Sequence, residues 1–183
     1  MLAVAPFQED YSMLSRGFTL VEMMVAVAVL AILLTIGLPA FGGLIDSQRM
    51  DSSVNGLMRS IQFTRTEAIR LNRPVTMTPL GQDWNNGWII FLDANHNGAH
   101  DSDERVLRYE QPALVSHIHA NANIADYLRY NAQGESELLN GGFQSGTFSL
   151  CPQQTAAQGR KVIINRVGRA RIKRAFITSG CPG

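Results

Sequence analysis

The chain has 183 residues and a formal net charge of +1, room for one membrane helix and one modest domain. Two cysteines, with no CxxC and no Cys/His spacing, exclude a zinc module, and there is no internal repeat or low-complexity tract. The charge sum decides little alone, but its distribution does: Glu137 is the last acidic residue, and seven basic residues follow it.

In chain order, the first feature is Ser15-Arg16-Gly17-Phe18-Thr19-Leu20-Val21-Glu22, running into an apolar stretch from Met23 to Ile45. That stretch is long enough to span a bilayer and is broken only mildly by Thr35, Gly37 and Pro39. Arg16 on the short side favours a cytoplasmic N-terminus. A charged side chain near the middle of a bilayer costs roughly 2.5–3.5 kcal/mol, so Glu22 marks a function or a partner. The bland alternative is a glutamate that snorkels to nearby headgroups. An ordinary secretory signal needs a basic start, a short apolar core and a small-residue cut beyond it. Leu38-Pro39-Ala40 meets the last condition weakly, and the apolar run is too long for the second. Glu9 and Asp10 are unusual in a short basic leader, and Met13 begins a compact Met-Leu-Ser-Arg-Gly. Residues 1–12 are therefore expected to be an extension.

These residues resemble the processing signal of type IV pilins and type II secretion pseudopilins. The resemblance implies a prepilin peptidase cut between Gly17 and Phe18 and N-methylation of Phe18. It also implies an assembly role for Glu22, the fifth residue from Phe18. In that family the glutamate pairs with the N-terminal amine of a neighbouring subunit, where each charge relieves the desolvation of the other.

Beyond the apolar stretch, Met50, Val54, Leu57, Met58, Ile61, Ala68 and Ile69 recur at helical spacing, with Arg49, Asp51, Ser52, Asn55, Arg59 and Gln62 on the other face. One helix is expected from Phe18 to Leu71, roughly 80 Å long at 1.5 Å per residue. Pro39, Gly42 and Gly43 can loosen its middle, which leaves an anchor, a linker and a separate helix as the alternative. Asn72-Arg73-Pro74 ends it, because the residue before proline is pushed out of helical angles.

From Val75 the period falls to two. Short runs at Val75–Met77, Trp88–Leu92, Val106–Tyr109, Tyr127–Tyr130, Gly146–Leu150, Lys161–Ile164 and Ala170–Lys173 alternate with Gly, Asn, Asp and Pro. The expected domain is mostly antiparallel β, packed on the outer half of the helix. Trp84-Asn85-Asn86-Gly87-Trp88 and Gly168-Arg169-Ala170-Arg171 are similar to motifs of the GspH/FimT family. The implied architecture is α+β and pilin-like. It has a leader over 1–17, a membrane part of the helix over 18–45, an amphipathic part over 46–72 and a periplasmic β-rich domain over 73–183.

Asp93 to Glu104 fits D-x-[DN]-x-[DN]-G-x5-E, with Asp93, Asn95, Asn97, Asp101 and Glu104 as calcium ligands. The flanks read as strands and His100 replaces an apolar residue, so a solvated hairpin tip is the preferred reading. No other cofactor is implied. In the basic tail, Arg160, Lys161, Arg166, Arg169, Arg171 and Lys173 form a ridge suited to phosphate backbones. The family resemblance points to double-stranded DNA bound without sequence specificity; a solvated face or bridges to a neighbouring subunit are the alternatives. An even cysteine count in an exported domain reads as a Cys151–Cys181 disulfide, closing a loop of about 30 residues worth roughly 3–4 kcal/mol, against two free thiols. His96, His100, His117 and His119 have no nucleophile or carboxylate at useful spacing, so the chain reads as no enzyme. The expected function is a minor pilin or pseudopilin at the bacterial inner membrane, a partner of other pilins or pseudopilins in a type IV pilus. A GspH-type subunit of type II secretion is the alternative.

Overall fold

The computed structural model describes residues 17–112, 116–152 and 158–176. Helix α1 (Leu20–Leu71) comes first. The contacts divide the chain after Gly43 into two compact units. In the first, residues 18–35 are exposed throughout, including Val21, Met24, Leu30 and Leu33. Among the described residues no helix is long and apolar enough to cross a membrane. The apolar run read from the sequence passes through residues 36–41, whose side chains lie outside those described.

In the second unit, Met50, Val54, Leu57, Ile61, Thr64 and Ala68 are buried at alternating spacings of four and three, one stripe of the helix. Buried hydroxyls on the stripe are satisfied locally: Thr64 donates to the Ser60 carbonyl at 2.8 Å. The helix closes in a Schellman turn. Asn72 has φ 49, Arg73 N–H donates to the Ala68 carbonyl and Asn72 N–H to that of Ile69, both at 3.2 Å.

Two antiparallel sheets follow. The first contains β1 (Val75–Pro79), β2 (Trp88–Leu92), β3 (Val106–Glu110) and β5 (Leu128–Tyr130), in the order β3-β2-β1-β5. The second contains β4 (Ser116–Ala120), β6 (Gly146–Pro152), β7 (Gly159–Ile164) and β8 (Ala170–Ala175), in the order β4-β6-β7-β8. Strand β4 is absent from the sequence reading; the other seven strands match runs read there.

The Trp-x-x-Gly-Trp motif is a joint between the sheets. Trp84 packs edge-on against Phe148 of β6 at 4.9 Å and lies 6.2 Å from Trp88 of β2. Its indole N–H donates to the Ala125 carbonyl at 2.8 Å. Asn85 serves as a strand substitute at the edge of β4, accepting from Ile118 N–H at 2.8 Å. Gly87 has φ 100, and a Cβ there would sit 2.4 Å from the Glu110 carbonyl oxygen.

Every residue of β2 is buried, so the first sheet is covered on both faces at this strand. Val75, Met77, Trp88, Ile90 and Leu92 join the main core with α1. Thr76, Phe91 and Arg129 are buried on the other face, where Phe91 meets His100 of the loop after β2 edge to face at 5.2 Å.

Candidate functional site

Gly17 and Phe18 lie in irregular, exposed backbone ahead of α1, with nothing within 4 Å of a Cβ built at Gly17. The helix starts two residues later than expected because Thr19 caps it. Glu22 N–H donates to Thr19 Oγ1 at 3.2 Å, and the Glu22 carboxylate accepts from Thr19 N–H at 2.9 Å and from its hydroxyl at 3.0 Å. This is a capping box, and it gives Glu22 a local task that the sequence reading missed although Thr-x-x-Glu announces it. Arg16 lies outside the described residues.

The acidic loop is folded inward. Asp93 is 1 % exposed and Glu104 is buried. Asp93 accepts from Asn97 N–H at 3.1 Å, Gly98 N–H at 3.2 Å and Thr76 Oγ1 at 2.9 Å. The buried Arg129 stands 3.9 Å from its Oδ2 and also contacts His96 Nδ1. Glu104 accepts from Ala94 and Asp101 N–H groups, at 2.7 and 3.2 Å. Asn95 and Asn97 turn their amide N–H groups onto Asp101, at 2.7 and 2.8 Å. Those amides hold the Asp101 carboxyl below its usual range. The tip of the loop is solvated, with Ala94 to Asn97, Ala99, Ser102 and Asp103 exposed, while its end carboxylates, Asp93 and Glu104, are buried. The residues read as calcium ligands are engaged within the protein: Asp93, Asn95, Asn97, Asp101 and Glu104 accept from donors of the loop or of Thr76, and the Arg129 guanidinium stands beside Asp93. Among the described residues no group of three or more His, Cys, Asp or Glu is placed to hold a metal.

The basic tail separates into three places. Arg160 is 2 % exposed, on the core side of β7 with Val162 and Ile164. Its Nε donates to Asp51 of α1 at 2.7 Å, Nη1 to the Gln158 carbonyl at 2.9 Å and Nη2 to Ser47 Oγ at 3.3 Å. The reading of Arg160 as a nucleic-acid contact is therefore corrected: it is a buried ion pair between helix and sheet. Lys161, Lys173 and Arg171 occupy the opposite face, where Lys161 stands across from Lys173 and Ile163 across from Arg171. The same face continues over Ser149 to His119 and over Cys151 to His117. No carboxylate occupies any of these strand positions. Like charges directly opposite are unfavourable without a counter-charge.

Arg166 and Arg169 lie at the β7–β8 turn. Arg166 sits over the exposed Phe143 ring at 4.2 Å, an aromatic neighbour far away in sequence. Gly168 has φ 74, and a Cβ there would lie 2.6 Å from the Gly134 carbonyl oxygen and 2.7 Å from the Tyr130 ring. Only glycine fits that approach, so the first residue of Gly168-Arg169-Ala170-Arg171 is a packing requirement. Arg169 lines a cleft beside α1 that also involves Arg65. Cys151 is buried on β6, and Cys181 lies outside the described residues.

Comparison with known proteins fits this architecture. The model of a prokaryotic N-terminal methylation motif matches residues 12–38. The solved structure of the type IV minor pilin FimU of Pseudomonas aeruginosa in one crystal form is similar with a TM-score of 0.52 and 23% identity, covering 72% of this chain and 96% of that one. A second crystal form gives 0.54 and 22%, covering 76% and 96%. At that identity the likeness is one of fold. No curated protein matches the chain. The family model described as Type II transport protein GspH matches residues 53–168, which takes in the Trp-Gly-Trp joint, both sheets up to the β7–β8 turn and Gly168. The chain belongs to the GspH family of pilin-like proteins.

Proposed function

We propose that the chain is a minor subunit of a type IV pilus. In this reading it is cut between Gly17 and Phe18, methylated at Phe18 and held in the inner membrane by residues 18–45, with residues 73–183 in the periplasm. The observation that carries the proposal is the likeness of fold to FimU over 96% of that pilus subunit. The methylation motif and the exposed Gly17-Phe18 junction support the processing step. Glu22 would then join the subunit to others, with the Thr19 capping box fixing its carboxylate at the first turn of α1. Mass analysis of the chain from membranes is expected to show a methylated N-terminal Phe18, and an uncut chain would refute the processing. Deleting the gene is expected to reduce piliation and leave exoprotein release intact. The match to a type II transport family favours a second reading, a type II transport subunit. Loss of exoprotein release with piliation intact would establish that one instead.

DNA capture is a further part of the proposal. It rests on the face of Lys161, Arg171 and Lys173, with Arg166 and Arg169 at its end and Arg160 removed from the set. Binding there would be independent of sequence and salt-dependent. The double variant Arg171→Gln, Lys173→Gln is expected to weaken duplex DNA uniformly and to lower the salt slope by about 2. Unchanged affinity would remove DNA from the function. Cys151 and Cys181 are proposed to form a disulfide, and a mass increase of two hydrogens on reduction is the expected sign.

A further inference from the structure

A cleft of about 220 Å³ opens beside α1, between the helix and the start of β8. Its lining is mostly polar, from Gln62, Arg65 and Arg169, with the buried Ile61 and Tyr130 and the half-buried Ala170 behind them. Two arginines share this small space and no carboxylate lines it. Arg65 is half-buried. Its Nη2 donates weakly to the Val167 carbonyl at 3.4 Å, while its Nε is buried with no hydrogen-bond partner in the protein. The Tyr130 hydroxyl is already committed to the Gly168 carbonyl at 3.0 Å. Neither Arg65 nor Arg169 enters an ion pair among the described residues, where six other arginines do and five do not. Positive φ at Gly134 and Gly168 holds the walls close, and a Cβ on Gly134 would lie 3.1 Å from Arg65 Nε. The site is thus built around an unspent guanidinium.

We infer that this cleft seats one carboxylate on a short apolar stem, the acidic side chain of a neighbouring filament subunit. The inference rests on the assembly reading above. Charge complementarity requires an anion, and a guanidinium fork matches the two oxygens of a carboxylate. A cleft of about 220 Å³ has room for one side-chain carboxylate, whereas a phosphodiester brings a sugar on either side of its charge. The cationic face of Lys161, Arg171 and Lys173 is on the other side of the second sheet from α1, so the cleft meets the proposed DNA surface only at Arg169, at the end of that face.

The test uses the full chain in detergent micelles. The arginine Nε–H resonances are followed during titration with propionate, with chloride at matched ionic strength and with inorganic phosphate. The Arg65 signal is expected to shift saturably with propionate, with a Kd on the order of 10 mM. Arg169→Gln and Arg65→Lys are each expected to weaken this about tenfold with unchanged thermal unfolding. No saturable shift would overturn the inference. So would phosphate binding as tightly as propionate, which would move the cleft to the nucleic-acid surface. In cells, Arg65→Gln with Arg169→Gln is expected to lower the share of the chain recovered in sheared filaments several-fold while its membrane level holds. Wild-type recovery would overturn the inter-subunit source. Glu22→Ala, measured alongside, separates this from failure of the assembly reading itself: its full recovery would refute assembly through α1 whatever the cleft does.

Discussion

Tyr130 and Gly168 are interlocked. The Tyr130 hydroxyl donates to the Gly168 carbonyl at 3.0 Å, and the Tyr130 ring occupies the space a side chain at 168 would need. The β7–β8 turn is thereby fastened to β5, which joins the two sheets through one buried phenol. Gly168→Ala is expected to destabilise the domain by about 3 kcal/mol, since left-handed backbone and overpacking each contribute about 1–3. Urea unfolding at neutral pH reads this directly, and a change under about 0.5 kcal/mol, typical of a neutral surface site, would contradict it.

Asp51 and Arg160 form an asymmetric pair, and the asymmetry sets the second prediction. The Arg160 side chain is 3% exposed and that of Asp51 31%. Removing the carboxylate leaves a buried guanidinium without counter-charge, so Asp51→Ala is expected to cost about 3–5 kcal/mol. Arg160→Met leaves a carboxylate that water and the exposed Arg174, 3.9 Å away, can still reach. Its expected cost is smaller, about 1–2 kcal/mol, because a partly solvated charge carries less penalty. Equal losses in denaturant unfolding would contradict the burial argument. Neither change is expected to alter DNA affinity under conditions where the domain stays folded.

Much of this was legible in the residues. The 4-3-4-3-4 stripe from Met50 to Ala68 announces the packed half of α1, and Asn72 to Pro74 announce its end. Arg160 shares the parity of Val162 and Ile164, so its inward position was readable; grouping all the basic residues as one ridge obscured it. Strand β4 was hidden for a different reason. Ser-His-Ile-His-Ala carries a single large apolar residue, and its edge is completed by Asn85 from another part of the chain. The pairing of Asp93 with Arg129 was also out of reach. It depends on β1 lying between β2 and β5, an order that local pattern does not encode.

That pairing supplies the third prediction. Asp93→Asn keeps the shape of the loop but leaves Arg129, itself buried, without its carboxylate. A loss of about 3 kcal/mol is expected. Calorimetry at millimolar calcium is expected to show no heat, because the loop oxygens are already engaged; a saturable exotherm would restore the metal reading. Asp101 gives the same loop an acid limb. Its carboxyl lies below its usual range through the Asn95 and Asn97 amides. A lowered folded value stabilises above the unfolded pKa of about 3.9 and is lost as pH falls through the folded one. Asp101→Asn is expected to flatten that part of the acid unfolding profile; an unchanged profile would show that the amides do not favour the charged form.

Tyr130 gives the domain an alkaline limb of opposite sign. Burial pushes its phenol well above the ordinary value, against a smaller opposing effect from the Arg65 charge. For an acid with a raised folded pKa, the neutral form is the native one. Stability is therefore full below the unfolded pKa of about 10 and falls as pH rises above it, since only the unfolded chain ionises readily there. Tyr130→Phe removes both the hydroxyl and the limb. At neutral pH it is expected to cost about 1–2 kcal/mol, because the buried Gly168 carbonyl loses its donor. Above pH 10 the variant is expected to lose less stability than the parent, so the two urea midpoints converge as pH rises. Parallel curves between pH 8 and about 11 would show that Tyr130 ionises as easily in the fold as outside it, and that the phenol is not the buried fastener between β5 and the β7–β8 turn.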